Sequence, residues 1–547
     1  MDVALTDGAV ADISRLTAAE ARVASLWLED GSNLRLDGVS EDVPTALRGG
    51  LGWAAWVDGS RLSVSHYDVF SFDAGGFRVV NGTLVLENVE ASNLRGYGIW
   101  STDSTDSLTG TTFSIMPRYL NDNTAGYGVF AETTAGEKVF WASESRISGS
   151  YRSGIKAVGA GQRIVGVDLI VQENGGGYVA GEYSTPLDPV RGAGVSLSGG
   201  AAAQLTGGEL FANEAVEGGG LAVLDAASSA TLSGVLVRSN SAVGPGGGLY
   251  VESGQVDFSG ANLESNRAQV GGGLAVIKDG VLTMAGGDIV GGQASAAGAG
   301  AYVFQASATF TDGVDFRSCT VPTTATGTPG RGGGIYVSEA SLTLQGSTFT
   351  NCSAKQGAAF YAANLSQDLA VSDCAFLSNT SSGNAALYAL DLTRTLRLER
   401  CVFADNEINV PDLTAASSIY SRQDLPGGRV ILSACTVTDN RNGGGAIYQR
   451  SGEMEIHESV VAFNRPSGLA GRDLGFVAMS CNDFFSNAGL DYGAGAVPGP
   501  GSFSADPLFC DLDNLVFTVD AASPLLPANN DCGVQIGALG QGCSSNP

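Results

Sequence analysis

The stretch Val235-Leu-Val-Arg-Ser-Asn240-Ser-Ala-Val-Gly-Pro-Gly246-Gly-Gly-Leu249-Tyr-Val251 holds the two words from which the fold is read. The first is an apolar residue, two spacers and an Asn. It recurs as Val171–Asn174, Leu210–Asn213, Val237–Asn240, Leu263–Asn266, Phe376–Asn379, Phe403–Asn406, Val437–Asn440, Val461–Asn464 and Phe484–Asn487. The second is a small-residue run entering an apolar strand, as in Gly218-Gly219-Gly220-Leu221, Gly246-Gly247-Gly248-Leu249, Gly271-Gly272-Gly273-Leu274, Gly332-Gly333-Gly334-Ile335 and Gly443-Gly444-Gly445-Ala446. Between Asn266 and Asn379 the period continues, with Gly292, Cys319 and Cys352 in the Asn place after Ile289, Phe316 and Phe349. Most steps are 23 to 27 residues. Longer ones carry insertions, among them 183–191 and 320–330, of a kind that forms loops on one face of a repeat protein.

A repeat of about 25 residues made of short alternating strands cannot bury its own apolar face. Coiling the chain lays each strand parallel on the one below, about 4.8 Å away. Ala340-Ser-Leu-Thr-Leu-Gln and Thr395-Leu-Arg-Leu-Glu-Arg show the alternation such strands need. At the corner, Asn tolerates the left-handed region and its amide can bond the Asn of the turns above and below. Upstream, Gly96-Tyr97-Gly98-Ile99-Trp100 and Gly126-Tyr127-Gly128-Val129-Phe130 extend the period. The reading is all-β: a single-stranded right-handed parallel β-helix of about 16 to 20 turns. It spans 31–500, with a closing segment over 501–547. Residues 12–29 carry helical apolar spacing after Ser14 and Thr17, so 1–30 is expected to cap the open end, where an uncovered turn would expose a sheet edge.

The columns resemble the repeats of polymorphic outer-membrane proteins, with their Gly-Gly-Ala-apolar and Phe-x-x-Asn words. Phe376-Leu-Ser-Asn379, Phe403-Ala-Asp-Asn406 and Gly444-Gly445-Ala446-Ile447 carry the likeness. It implies the right-handed β-helix of the pectate-lyase-like superfamily and says little about function. Ala505-Asp-Pro-Leu-Phe-Cys510, Ala522-Ser-Pro524, Asn529-Asn-Asp-Cys532-Gly and Ile536-Gly-Ala-Leu-Gly540-Gln-Gly-Cys543 resemble the closing module of secreted bacterial β-helix repeat proteins. In that module a Cys commonly follows the Ser-Pro; here Leu525 stands there.

Composition narrows the function. The net charge of −27 repels phosphate, so no nucleic-acid partner is expected. No apolar stretch reaches membrane-spanning length, so no membrane insertion is expected. Met1 leads directly into Asp-Val-Ala-Leu without a signal-peptide pattern. Nine Cys in a Gly-rich β chain nevertheless fit an oxidising compartment, and the expected location is secreted or cell-surface. Neighbouring turns would bring Cys319 and Cys352 within disulfide range. Cys532–Cys543 and Cys481–Cys510 are further candidate pairs. Cys374, Cys401 and Cys435 should stack in one buried column, and an odd count leaves at least one thiol free or paired outside the chain.

Few words suggest catalysis. The two His, His66 and His457, lie outside any Gly-His-Gly word, and His457 sits in the alternating run Met454-Glu-Ile-His-Glu as an outward strand residue. Asp511-Leu-Asp513-Asn514 resembles half of a Ca²⁺ loop, so Ca²⁺ is the one cofactor left open; the plainer reading is a solvated turn. All five Trp (27, 53, 56, 100, 141) fall in the first 141 residues. Tyr97, Trp100, Tyr127 and Trp141 could form a column that stacks on sugar rings, or could pack an N-terminal core. The leading expectation is therefore a non-enzymatic surface protein with a structural, adhesive or binding role, its partners extracellular glycans or cell-surface components. A polysaccharide lyase or glycoside hydrolase would instead show acids and an Arg converging under the 183–191 or 320–330 insertion. A carbohydrate-binding surface protein is the third reading.

Overall fold

The computed structural model describes residues 3–14, 18–21, 24–38, 46–115, 126–175, 190–322, 330–409, 412–472, 477–493 and 495–544. The strands divide into two compact units, residues 1–268 with 279–282 and residues 269–278 with 283–547. Each is an all-β parallel solenoid, and about 19 turns are made between them.

A turn visits three sheets in order. In the first unit one turn runs through Leu249–Glu252, Gln255–Ser259 and Asn262–Glu264. In the second unit one runs through Phe360–Ala363, Leu369–Ser372 and Ala375–Leu377. Alternation decides which side chains turn inward, and parallel register stacks like on like. Leu205, Leu232 and Phe258 lie one above another in the buried core of the first unit. In the second unit Phe316, Phe349, Phe376 and Phe403 form a column with ring centroids 4.7, 4.9 and 4.5 Å apart. Each such pair adds about 0.5–1.5 kcal/mol beyond its burial.

The corner after the third sheet is where the Asn words fall. In the first unit the amide oxygens of Asn213, Asn240 and Asn266 each accept the backbone N–H and the Nδ2 of the Asn one turn earlier, beginning from Asn174, at 2.9–3.1 Å. In the second unit Asn379, Asn406, Asn440, Asn464 and Asn487 repeat the pattern at 2.9–3.2 Å. Each Nδ2 also reaches back to a carbonyl, as Asn406 does to Phe376 O at 2.9 Å. The left-handed residue is not the Asn but the one before it: Ala212, Ser239 and Ser265 in the first unit, Ser378, Asp405 and Asp439 in the second. The preceding residue makes the bend, and Asn is required for its amide. The Gly that follows answers to space: a Cβ on Gly219 would stand 2.4 Å from the carbonyl oxygen of Gly247.

Three expectations need correction. The described residues of 12–29 hold no helix; Val10–Ser14, Ala18–Ala21 and Ala24–Leu28 are strands. Three short strands in succession imitate helical spacing, and Leu26 and Leu28 are inward residues paired with Ala55 and Val57. Cys319 and Cys352 are free and buried, as are Cys374, Cys401 and Cys435. In-register stacking keeps their Cβ atoms a full strand spacing apart and parallel, wider than the roughly 3.8 Å a disulfide prefers. Their thiols instead point to Ile289 O and Phe316 O at 3.5 Å, in the role Asn Nδ2 plays elsewhere. The disulfides are Cys481–Cys532 and Cys510–Cys543, in place of the expected Cys481–Cys510 and Cys532–Cys543. The reason is that the C-terminal segment folds back: Val519, Leu525 and Ile536 bury against Val460 and Ala462 on the outer face of the third sheet, and Phe517 against Val402 and Ala404. Burying each of these side chains contributes about 1.5–3 kcal/mol. Of the expected insertions, 183–189 and 323–329 lie outside the described residues.

Two acids are buried. Asp106 points into the core of the first unit between Leu84 and Phe140, and burial pushes its carboxyl up to about 7, restrained by Ser101 and the Leu84 backbone. Asp483, under the chain at Ala505, is likewise raised to about 7 by burial, with the N–H of Ala505 bonded at 3.0 Å.

Replacing Asn406 with Ala removes the acceptor of Asn379 N–H and the donor to Phe376 O, and is expected to destabilise the second unit by about 2–4 kcal/mol in denaturant titration. The raised carboxyl of Asp106 stabilises most at low pH, below its unfolded value, and that contribution is lost as pH rises through about 7. Unfolding of the first unit at pH 6 and pH 8 should therefore differ by roughly 1–2 kcal/mol from this group, and Asp106→Asn should erase that difference.

Candidate functional site

The register that stacks the core also aligns outward side chains. On the outer face of the first sheet in the first unit, Trp27, Trp56, Arg78, Trp100, Phe130 and Lys156 occupy one column. Trp53, Tyr97 and Tyr127 flank it. Tyr97 lies 6.0 Å from Trp53, 4.9 Å from Trp100 and 5.9 Å from Tyr127, centroid to centroid. Phe130 meets Trp100 edge-on, with 82° between the planes. The mixture of stacked, tilted and edge-on rings leaves Trp53, Tyr97, Trp100 and Phe130 half-buried.

Polar groups frame these rings. The Arg78 guanidinium sits 4.1 Å from the Trp100 ring and donates to Trp100 O at 3.2 Å and Thr102 Oγ1 at 2.9 Å. Burial pulls its pKa below the usual guanidinium value, against the opposing pull of Glu132. Glu132 accepts from Thr102 at 2.9 Å and from Trp100 Nε1 at 3.4 Å. Arg152 donates to Tyr127 Oη at 3.1 Å, and Lys156 Nζ lies 5.5 Å from the Tyr127 ring. Burial raises the Tyr97 phenol, so it stays a neutral donor. Aromatic surface ringed by hydrogen-bonding groups of both signs has the chemistry to hold a sugar: apolar C–H faces on rings, hydroxyls on the rim.

Of the four aromatic residues singled out from the sequence, the structure brings Tyr97, Trp100 and Tyr127 together. It leaves out Trp141, which faces outward on the second sheet, paired with Ser107 and Val165. His457 is an outward strand residue 2.8 Å from Ser480 Oγ. Asp511 is engaged by Asn514 N and Nδ2 at 3.1 and 2.7 Å, closing a turn; Asp513 is exposed. Among the described residues no three His, Cys, Asp or Glu side chains come within reach of one metal ion.

Two arrangements were not anticipated. In the second unit Tyr302, Tyr336, Tyr361, Tyr388, Tyr420 and Tyr448 form an outward column on the first sheet, 4.8–5.6 Å between successive centroids and within 19° of coplanar. Parallel stacking hides ring faces, and the last four are at most 5% exposed. Burial, above all, raises the phenols of Tyr302 and Tyr388 to about 12. The signal was present as a Tyr following the first apolar residue of each strand. In the first unit Arg191 holds two carboxylates, Glu217 at 2.8 Å and Glu252 at 3.0 Å, beside buried Tyr250.

Among curated proteins, none matches this chain. Among solved structures, a crystal structure of a point mutant of the periplasmic alginate epimerase AlgG is similar at 9% identity, covering 82% of this chain and 77% of that one, with a TM-score of 0.22. A second point mutant of the same epimerase gives 8% identity, 84% and 77% coverage and a TM-score of 0.12. Residues 293–461 match the family model described as a right handed beta helix region. With parallel turns in both units, the chain has the fold of a right-handed parallel β-helix.

Proposed function

We propose that this protein is a secreted or cell-surface β-helix that binds glycans through the aromatic face of the first sheet in its first unit, serving attachment rather than catalysis. The observation that carries the reading is the half-buried cluster of Trp53, Tyr97, Trp100 and Phe130, with Arg78, Glu132 and Arg152 at its rim. Rings that served only as core would be stacked shut, as the last four Tyr of the second unit's column are. Two disulfides are in keeping with an oxidising compartment. No helix among the described residues is long and apolar enough to cross a membrane. The reading calls on no cofactor.

A glycan array followed by calorimetry on the best oligosaccharide tests it. Trp100→Ala and Tyr97→Ala should each weaken binding about 3- to 10-fold, while Trp141→Ala leaves it unchanged. Wild-type affinity in a Trp100→Ala protein of native circular dichroism would sink the proposal. A second reading, a polysaccharide lyase or hydrolase, is favoured by one arrangement, Glu217 and Glu252 gathered on Arg191 beside Tyr250. On that reading wild type turns over a polysaccharide and Glu252→Gln lowers the rate by about 100-fold or more. A screen of acidic and neutral polysaccharides, with and without Ca²⁺, that finds no turnover rejects it.

A further inference from the structure

The Tyr column of the second unit hides a mismatch. Tyr361 is fully buried and its hydroxyl has no hydrogen-bond partner. The Arg331 guanidinium lies 5.3 Å from the Tyr361 ring, and its Nε is likewise buried without an acceptor. Buried polar groups are almost always paired, because an orphan forfeits its hydration without return. A guanidinium Nε–H can only donate, and the phenol beside it has its O–H proton to give. What the pair lacks is an acceptor.

Charge points the same way. Two turns further on, Arg450 Nη1 reaches Tyr420 Oη at 3.5 Å. Among the described residues neither Arg331 nor Arg450 forms an ion pair with a carboxylate. The charged groups nearest the intervening Tyr388 are Arg331, Arg422 and Arg450, and Asp391 lies by Tyr361 and Arg422. Asp424 stands beside Arg422 and is tied to it at 2.5 Å. Asp391 is tied to the backbone N–H of Asp424 at 2.8 Å. Three cations and two anions leave a local excess of positive charge, on a chain whose net charge is −27.

We infer that Arg331 and Tyr361 form an oxyanion site on the outer face of the first sheet in the second unit, with Arg450 and Tyr420 offering a second contact two turns along. The ligand is a carboxylate or sulfate, free or borne on an acidic glycan laid along the Tyr column. A guanidinium and a neutral phenol both donate to such a group, and the charge-assisted bond is the stronger kind. The site uses residues of a different unit from the aromatic face and stands or falls apart from the glycan reading.

The test uses the full chain, titrated by calorimetry with inorganic sulfate, with a uronic-acid oligosaccharide, and with a neutral oligosaccharide of the same length. Arg331→Gln is expected to weaken oxyanion binding about tenfold. Tyr361→Phe is the sharper variant. It removes an unpartnered hydroxyl, so the melting temperature should hold or rise while oxyanion affinity falls. Binding of sulfate and oligosaccharide alike assigns a free-anion site; binding of the uronic-acid oligosaccharide alone assigns an acidic glycan. Trp141→Ala, on the second sheet of the first unit, should leave both titrations unchanged. No binding of either anion, a loss of neutral-oligosaccharide binding in Arg331→Gln equal to the loss of anion binding, or affinities unmoved by both Arg331→Gln and Tyr361→Phe overturns the inference.

Discussion

The fold depends on the turns staying in register, and from Asn174 to Asn266 and from Asn379 to Asn487 the corner Asn holds them there. An apolar core alone would tolerate sliding, since Leu on Val is nearly as good as Leu on Leu. The amide does not. Each Asn oxygen takes two donors from the turn before, and each Nδ2 has a carbonyl to satisfy as well. A slip of one residue would leave these groups buried and unpaired, at about 1–3 kcal/mol apiece. The corner is thus the specific part of an otherwise permissive fold, and its hydrogen bonds are additive along the axis, as expected of a quasi-one-dimensional solenoid.

Register has an outward consequence. Whatever stands at a given place in one turn stands about 4.8 Å above its counterpart in the next, so the surface is written in columns. Columns of one aromatic type close on themselves: the Tyr rings of the second unit lie nearly coplanar and present edges. Columns of mixed type cannot. In the first unit Arg78 interrupts the Trp residues, Phe130 turns edge-on to Trp100, and Trp100 and Phe130 stay half-buried. The same geometry therefore yields a closely stacked column in one unit and a mixed one in the other, and the difference is set by which residues share the column.

The fold was legible because its two words are local. An Asn three residues after an apolar residue, and Gly before a strand, each describe one corner, and no distant contact is needed to recognise them. The conformational role was misplaced by one residue, because the bend and the amide that seals it belong to neighbours. Lateral facts were harder to read. That Tyr97, Trp100 and Tyr127 share a face while Trp141 does not depends on which sheet each strand joins. The Tyr column was written at intervals of 25 to 34 residues, irregular enough to hide without the register. The cysteines were misread for a physical reason: stacking that brings two Cα atoms near also holds their side chains parallel, which suits a thiol–carbonyl contact and not a disulfide. The pairs that did form join the last turn to a segment folded back across the third sheet, a path no repeat predicts.

The acidity of the chain is compatible with cations gathered on its first sheet because long-range charge and local chemistry act over different distances. Beyond about 8–10 Å, salt screens exposed charge, so the excess of acids sets solubility and discourages phosphate-rich partners. At contact range what counts is who stands nearest. Arg78 over Trp100 and Arg331 over Tyr361 are each backed by an aromatic ring and partly removed from water, where a guanidinium keeps its charge at lower desolvation cost than an ammonium. A surface acidic on average can thus carry cationic, aromatic places in the columns where a glycan would lie.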